Sequence, residues 1–140
     1  MKVLGIESTA HTLSIGVTDR DKVLSNVIDT YSGGGEGLIP RKMADHHSKV
    51  FADVLTKALA GAKCGLDDIG LIAFSQGPGI GAPLSVGVAC AKYLALRFKK
   101  PLIGVNHGYA HARIAEHLCK MDKPLIFKGR GKIDTIVNSE

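Results

Sequence analysis

Tryptophan is absent from this chain and only 5% of its residues are aromatic. So few rings leave little material for the aromatic platforms that stack single-stranded bases. Cysteine is scarce too. Cys64, Cys90 and Cys119 are odd in number and form no CxxC, which argues against a disulfide scaffold or a zinc ribbon. Two of them fall in apolar helical patterns, so buried, reduced thiols in a reducing compartment are expected. No apolar run approaches the roughly 18 residues of a membrane span, and Glu7 interrupts the N-terminal segment before a signal-peptide core can form. The expectation is a cytoplasmic protein with no membrane partner. Acidic residues are few in one region. Between Lys92 and Lys132 ten basic residues face two acids, Glu116 and Asp122, whereas residues 1–91 carry eight basic and nine acidic. A basic C-terminal surface suits a phosphate-rich partner, and equally a solvated face.

What is present fits one globular domain. At 140 residues and 45% hydrophobic, the chain can bury roughly two-thirds of its unfolded surface. Alternating apolar residues predict strands at Val3–Glu7, Thr12–Val17 and Val23–Asp29, an antiparallel meander with turns at ESTAH and DRD. A glycine cluster at 33–37 reads as a loop before Pro40, which suits a first helical turn. Met43, His47, Val50, Phe51, Val54, Leu55, Ala58, Leu59 and Ala62 then recur at helical spacing over five turns. Beyond them, Ile69–Ser75 reads as a buried strand, Pro83–Phe98 as a helix, Leu102–Asn106 as a strand and His107–Lys120 as a helix. The order βββαβαβα, with a mixed sheet, is the α/β pattern of the ribonuclease-H-like fold, which is also the half-domain of the actin, sugar kinase and Hsp70 folds.

The segment IGVNHGYAH at 103–111 carries the strongest chemical signal. His107 and His111 are four residues apart at the start of a helix, so both imidazoles share one face and can reach one metal ion. They also begin at a strand's C-terminal end, where α/β sites concentrate. The competing reading is that they extend an Ile114–Leu118 stripe packed on the sheet. Two further loops could approach an anion: the hairpin Glu7-Ser8-Thr9-Ala10-His11, and Gly77-Pro78-Gly79-Ile80-Gly81 between strand and helix. The second has neither GK[ST] nor GxGxxG spacing, so as a nucleotide motif it is weak. His47 falls on the apolar face of the first helix, where a core role competes with a cleft-lining one, and His46 lies at its edge.

Four ordered segments carry a family resemblance: GIESTAHTLSIGV, PRKMADHHSKVF from Pro40, IAFSQGPGIGAPL from Ile72, and KPLIGVNHGYAH from Lys100. Together the chain resembles the universal tRNA threonylcarbamoyltransferase family (TsaD and the archaeal KEOPS catalytic subunit), most closely its archaeal branch, over about residues 3–125. The resemblance implies an actin-like first lobe at 1–125. It implies transfer of threonylcarbamoyl from its adenylate to the adenosine beside the anticodon of tRNA. It implies one divalent metal ion per subunit, iron or zinc, on His107 and His111. ATP or threonylcarbamoyl-adenylate would lie near Ser8, Thr9, His11, Gly129 and Gly131, with His46, His47 and Gly79 lining the cleft. The implied partners are tRNA and KEOPS-like kinase and scaffold subunits, with self-association.

Departures accompany the match. The family's second lobe, with its aspartate ligand, is expected to be missing, and residues 126–140 diverge from the family pattern. Where the family has a tyrosine ligand and a Ser-Gly-Gly-Asn-Thr loop, this chain reads Phe127-Lys128-Gly129-Arg130-Gly131-Lys132-Ile133. Phenylalanine has no oxygen to donate, and Arg130 is bulky where glycine lets backbone approach phosphate. His117 has no assigned role. The expectation is a truncated relative that is inactive alone; the alternative is a noncatalytic paralogue or fragment serving as a partner-binding or dimerisation module. A nuclease built on Glu7 with Asp45 or Asp53 is the weakest reading, since that chemistry needs several converging carboxylates.

Overall fold

The computed structural model describes residues 1–119 except Asp21. Strands β1 (Lys2–Glu7), β2 (Thr12–Asp19) and β3 (Lys22–Thr30) form the antiparallel meander. After a short 3-10 turn at Gly34–Glu36 come α1 (Pro40–Gly61), β4 (Ile69–Gly77), α2 (Gly81–Phe98), β5 (Leu102–Asn106) and α3 (His107–Cys119). The sheet runs β3-β2-β1-β4-β5, with β4 parallel to both β1 and β5. This is the predicted βββαβαβα order. The third helix is described to Cys119, and α2 starts at Gly81, two residues before the predicted Pro83.

Period-two burial explains the meander. Leu4 and Ile6 of β1, Leu13, Ile15 and Val17 of β2 and Ile72 of β4 are almost completely buried. They pack with Val54, Ala58 and Ala62 from the α1 side and Ala91, Leu94 and Ala95 from α2. Each fully buried Val, Leu or Ile among them contributes about 1.5–3 kcal/mol. α1 begins with Pro40 in its first turn, where the missing N–H costs no hydrogen bond. Neither long helix is closed by a left-handed glycine. Lys63 and Lys99, both at φ 51°, take the left-handed closing position. The amides of Cys64 and Lys100 return to the carbonyls of Leu59 and Ala95 at 3.1 and 2.9 Å.

The opposite face of the sheet carries small and polar side chains, since Gly5 and Glu7 of β1 pair across to Gly16 and Ser14 of β2. Helix α3 lies over this second face, against β4 and β5. A pocket of about 240 Å³ remains beneath it, lined among others by Gly5, Glu7, Ala73, Ser75, Val105 and Ala110. The C-terminal ends of the parallel strands β1, β4 and β5 thus meet the start of α3. Cys64 and Cys90 are half-buried free thiols, less enclosed than expected, and burial raises the pKa of Cys90. No helix among the described residues is long and apolar enough to cross a membrane.

Candidate metal centre

Three strand ends build one cluster. β1 ends at Glu7, β4 carries Ser75, and β5 runs directly into α3 at His107. Because β1, β4 and β5 are adjacent and parallel, their last outward-facing residues converge. Glu7 Oε2 accepts hydrogen bonds from Ser75 Oγ and from His107 Nδ1, the latter at 3.0 Å. Glu7 Oε1 accepts from the backbone N–H of Thr9 at 2.6 Å. The Thr9 hydroxyl lies 3.3 Å from His107 Nδ1.

One turn along α3, His111 Nε2 sits 3.1 Å from His107 Nε2, with the two rings nearly perpendicular. Two imidazole nitrogens on one tetrahedral ion, with metal–nitrogen bonds of about 2.0–2.1 Å, are about 3.3 Å apart. The pair therefore fits a shared ion. Among the described residues no group of three His, Cys, Asp or Glu side chains could complete a coordination sphere. The stripe that packs α3 is a different one. Ala112 is buried, whereas Ile114 is 45% exposed and His111 faces solvent.

Burial by itself would raise the pKa of Glu7, but hydrogen bonds from Ser75, Thr9 and His107 outweigh it and hold the carboxyl below its ordinary value. Glu7 is thus an anion set behind the histidine pair. In the sequence Glu7 stands out only as a nuclease carboxylate and as the start of the 7–11 hairpin, and Ser75 not at all. Their positions at the ends of β1 and β4 were the available signal.

The remaining predicted residues separate into groups. Ser8 is 2% exposed, and its hydroxyl turns toward the carbonyl of Leu84 on α2. Thr9 is buried beneath Gly79; a methyl group on Gly79 would stand 2.7 Å from the Thr9 carbonyl oxygen. That same carbonyl accepts from the Ile80 amide at 2.7 Å, so one amide of the 77–81 loop is engaged by the hairpin. His11 is half-buried in that hairpin. His46 Nε2 meets Asp29 Oδ1 at 2.7 Å, with its ring against Tyr31. His47 is fully buried, and its Nε2 donates to the Ala10 carbonyl at 2.9 Å. His46 and His47 are thus engaged with β3 and the hairpin. Asp45 lines a separate pocket with Tyr31, Lys42, His46 and Lys49, and Asp53 is exposed, so neither is gathered with Glu7. His117 lies at the β2–β3 hairpin with Arg20 and Lys22. Gly129 and Gly131 lie outside the described residues.

A family model described as tRNA N6-adenosine threonylcarbamoyltransferase matches residues 22–133. The chain belongs to this family. A family member from Thermococcus sibiricus is 48% identical over 116 residues, covering 83% of this chain and 36% of the relative. One from Nanoarchaeum equitans is 49% identical over 126 residues, covering 89% and 40%. The chain therefore spans a little over a third to two fifths of these relatives. Among solved structures, YeaZ from Pseudomonas aeruginosa aligns with a TM-score of 0.61 at 15% identity, over 75% of this chain and 42% of its own. T. thermophilus RuvC in complex with a Holliday junction substrate aligns at 0.52 and 11%, over 89% and 82%. At these identities the likeness is one of fold alone: the mixed sheet is ribonuclease-H-like, of the type shared with actin and sugar kinases.

Proposed function

We propose that this chain forms the metal-binding first lobe of a tRNA threonylcarbamoyltransferase, which transfers threonylcarbamoyl from its adenylate to the adenosine beside the anticodon. The observation that carries this reading is the facing pair of Nε2 atoms on His107 and His111, in a chain of that family. These nitrogens would hold one divalent ion, iron or zinc. Such an ion supplies Lewis acidity toward a carboxylate or carbamoyl oxygen of the intermediate. The chain's own residues prepare the site: Glu7 and Thr9 hold His107 from behind. The hairpin around Thr9 and His11, supported by Gly79, would border ATP or the adenylate. KEOPS-like kinase and scaffold subunits are the partners proposed on the same resemblance.

Metal titration tests the reading. The wild-type chain is expected to bind Zn(II) or Co(II) exchangeably, because two imidazoles leave the other positions to water or a further ligand. His107→Ala and His111→Ala should each weaken binding by more than the ~10–100-fold typical of losing an outer partner. Unchanged affinity in the double variant would overturn it.

A second reading, a partner-binding module, is favoured by α2, where Tyr93 and Leu96 are 64% and 81% exposed. Two large apolar side chains one turn apart suit a protein partner or a second copy. Light scattering that finds only monomers, alone and with candidate subunits, would remove it.

A further inference from the structure

We infer that Glu7 is a positioning residue: by accepting the Nδ1 proton of His107 it fixes the tautomer that aims a bare Nε2 lone pair at His111 and the shared ion. This rests on the metal reading above, and deepens it by naming what orients the ligand. A neutral imidazole carries one proton, on either nitrogen, and whichever atom faces an obligate acceptor keeps it. An ionised carboxylate only accepts. Glu7 Oε2 lies 3.0 Å from Nδ1, so the proton belongs there and Nε2 is left free. The Thr9 hydroxyl, 3.3 Å from the same Nδ1, can accept alongside it. Carboxylate–histidine–metal arrangements of this kind set ring orientation and raise ligand basicity.

The carboxylate is itself held in place. The Thr9 backbone N–H cannot reverse its role, so it pins Oε1 at 2.6 Å. Ser75 Oγ donates to Oε2, the oxygen that also faces His107. The site is only partly screened, with Glu7 and His107 side chains 33% and 30% exposed, so geometry and not burial keeps the pair aligned.

These constraints make Glu7→Gln unusually informative. The Thr9 N–H requires the amide oxygen of Gln at the Oε1 position, which places the NH₂ group where Oε2 was. His107 Nδ1 then faces a donor and must accept, and the ring proton moves to Nε2, the atom needed by the metal. The substitution is nearly isosteric and yet reverses the tautomer.

The test is long-range ¹H–¹⁵N correlation on the metal-free, ¹⁵N-histidine-labelled full chain at about pH 8.5, where an ordinary imidazole is neutral. The His107 signal is assigned by its loss in His107→Ala. Wild type should show the Nδ1–H form and Glu7→Gln the Nε2–H form, with unchanged circular dichroism. In parallel, Zn(II) affinity should fall about 10–100-fold in Glu7→Gln. If Glu7→Gln fails to fold, the wild-type tautomer still decides: an Nε2–H His107 overturns the proposal. A folded Glu7→Gln that keeps the Nδ1–H form and wild-type zinc affinity overturns it while leaving the metal reading intact. A tautomer reversal in a chain whose wild type binds no zinc supports the positioning role and overturns the metal reading.

Discussion

His47 shows how one buried residue can set the pH response of the whole fold. Its Nε2 donates to Ala10, while its Nδ1 is buried without a hydrogen-bond partner among the described residues. Protonation would put an unpaired N–H⁺ into the core. Burial accordingly lowers its pKa; repulsion from His46 and His11 adds to this, and the Ala10 carbonyl and Asp29 oppose it. The unfolded chain takes up this proton near pH 6.5, and the folded chain only at lower pH. Stability from this group is therefore complete above about pH 6.5 and declines as pH falls below it. Urea midpoints measured from about pH 5 to 8 should show that decline. His47→Leu should flatten it, with a loss of about 1–3 kcal/mol at neutral pH from the missing bond to Ala10 and imperfect repacking. A wild-type slope that persists in His47→Leu would assign it elsewhere. The helical spacing identified His47 as a core-face residue, but nothing local to the sequence told that its partner would be a carbonyl thirty-seven positions away.

Two glycines control how the elements close on the site. A Cβ on Gly87 of α2 would lie 2.1 Å from Ser8 Oγ and 2.9 Å from Ser8 Cβ. A Cβ on Gly79 would meet Thr9 backbone atoms at 2.7–3.0 Å. The first clash is with a side chain and the second with a main chain, so they should respond differently. Gly87→Ala is expected to cost about 1–3 kcal/mol and to be partly relieved by Ser8→Gly, giving a favourable coupling in a double-mutant cycle. Gly79→Ala has no such remedy. It should displace Thr9, weaken its N–H bond to Glu7 and lower zinc affinity, whereas Gly87→Ala leaves zinc affinity nearly unchanged. Equal effects of both on zinc binding would count against this division. Sequence patterns placed Gly79 in a strand-to-helix loop, yet the close approach that requires it exists only because β1 and β4 are neighbours.

At the scale of the whole molecule, charge and openness decide behaviour. Of the ten basic residues between Lys92 and Lys132, Lys92, Arg97, Lys99, Lys100 and Arg113 lie among the described residues, and most are exposed. Arg113 is paired with Glu116. If this surface meets tRNA, affinity should fall steeply with salt and show little sequence preference, because these side chains read phosphate and not bases. Filter binding over a salt series checks it; a flat response would exclude phosphate contacts as the source. The histidine pair is also open, with His111 exposed. A cluster that the described residues wall on one side excludes little water and positions a substrate poorly, so the 140-residue chain alone is expected to bind metal without measurable transfer to tRNA. Turnover lost in His107→Ala would show that this one wall suffices.

The sequence by itself determined the element order, the face of α1 that enters the core, and the pairing of His107 with His111. All three follow from local periodicity, since side chains repeat every two residues in strands and every three to four in helices. The terminal lysines of α1 and α2 escaped it because a left-handed residue there is usually glycine. Glu7 and Ser75 escaped it for a larger reason. They lie 100 and 32 positions before His107 in the chain and meet it only because the sheet order places β1 beside β4 and β4 beside β5. Local periodicity can mark a ligand on a helix, but the acceptor that orients its proton comes from strand order, which tertiary packing alone decides.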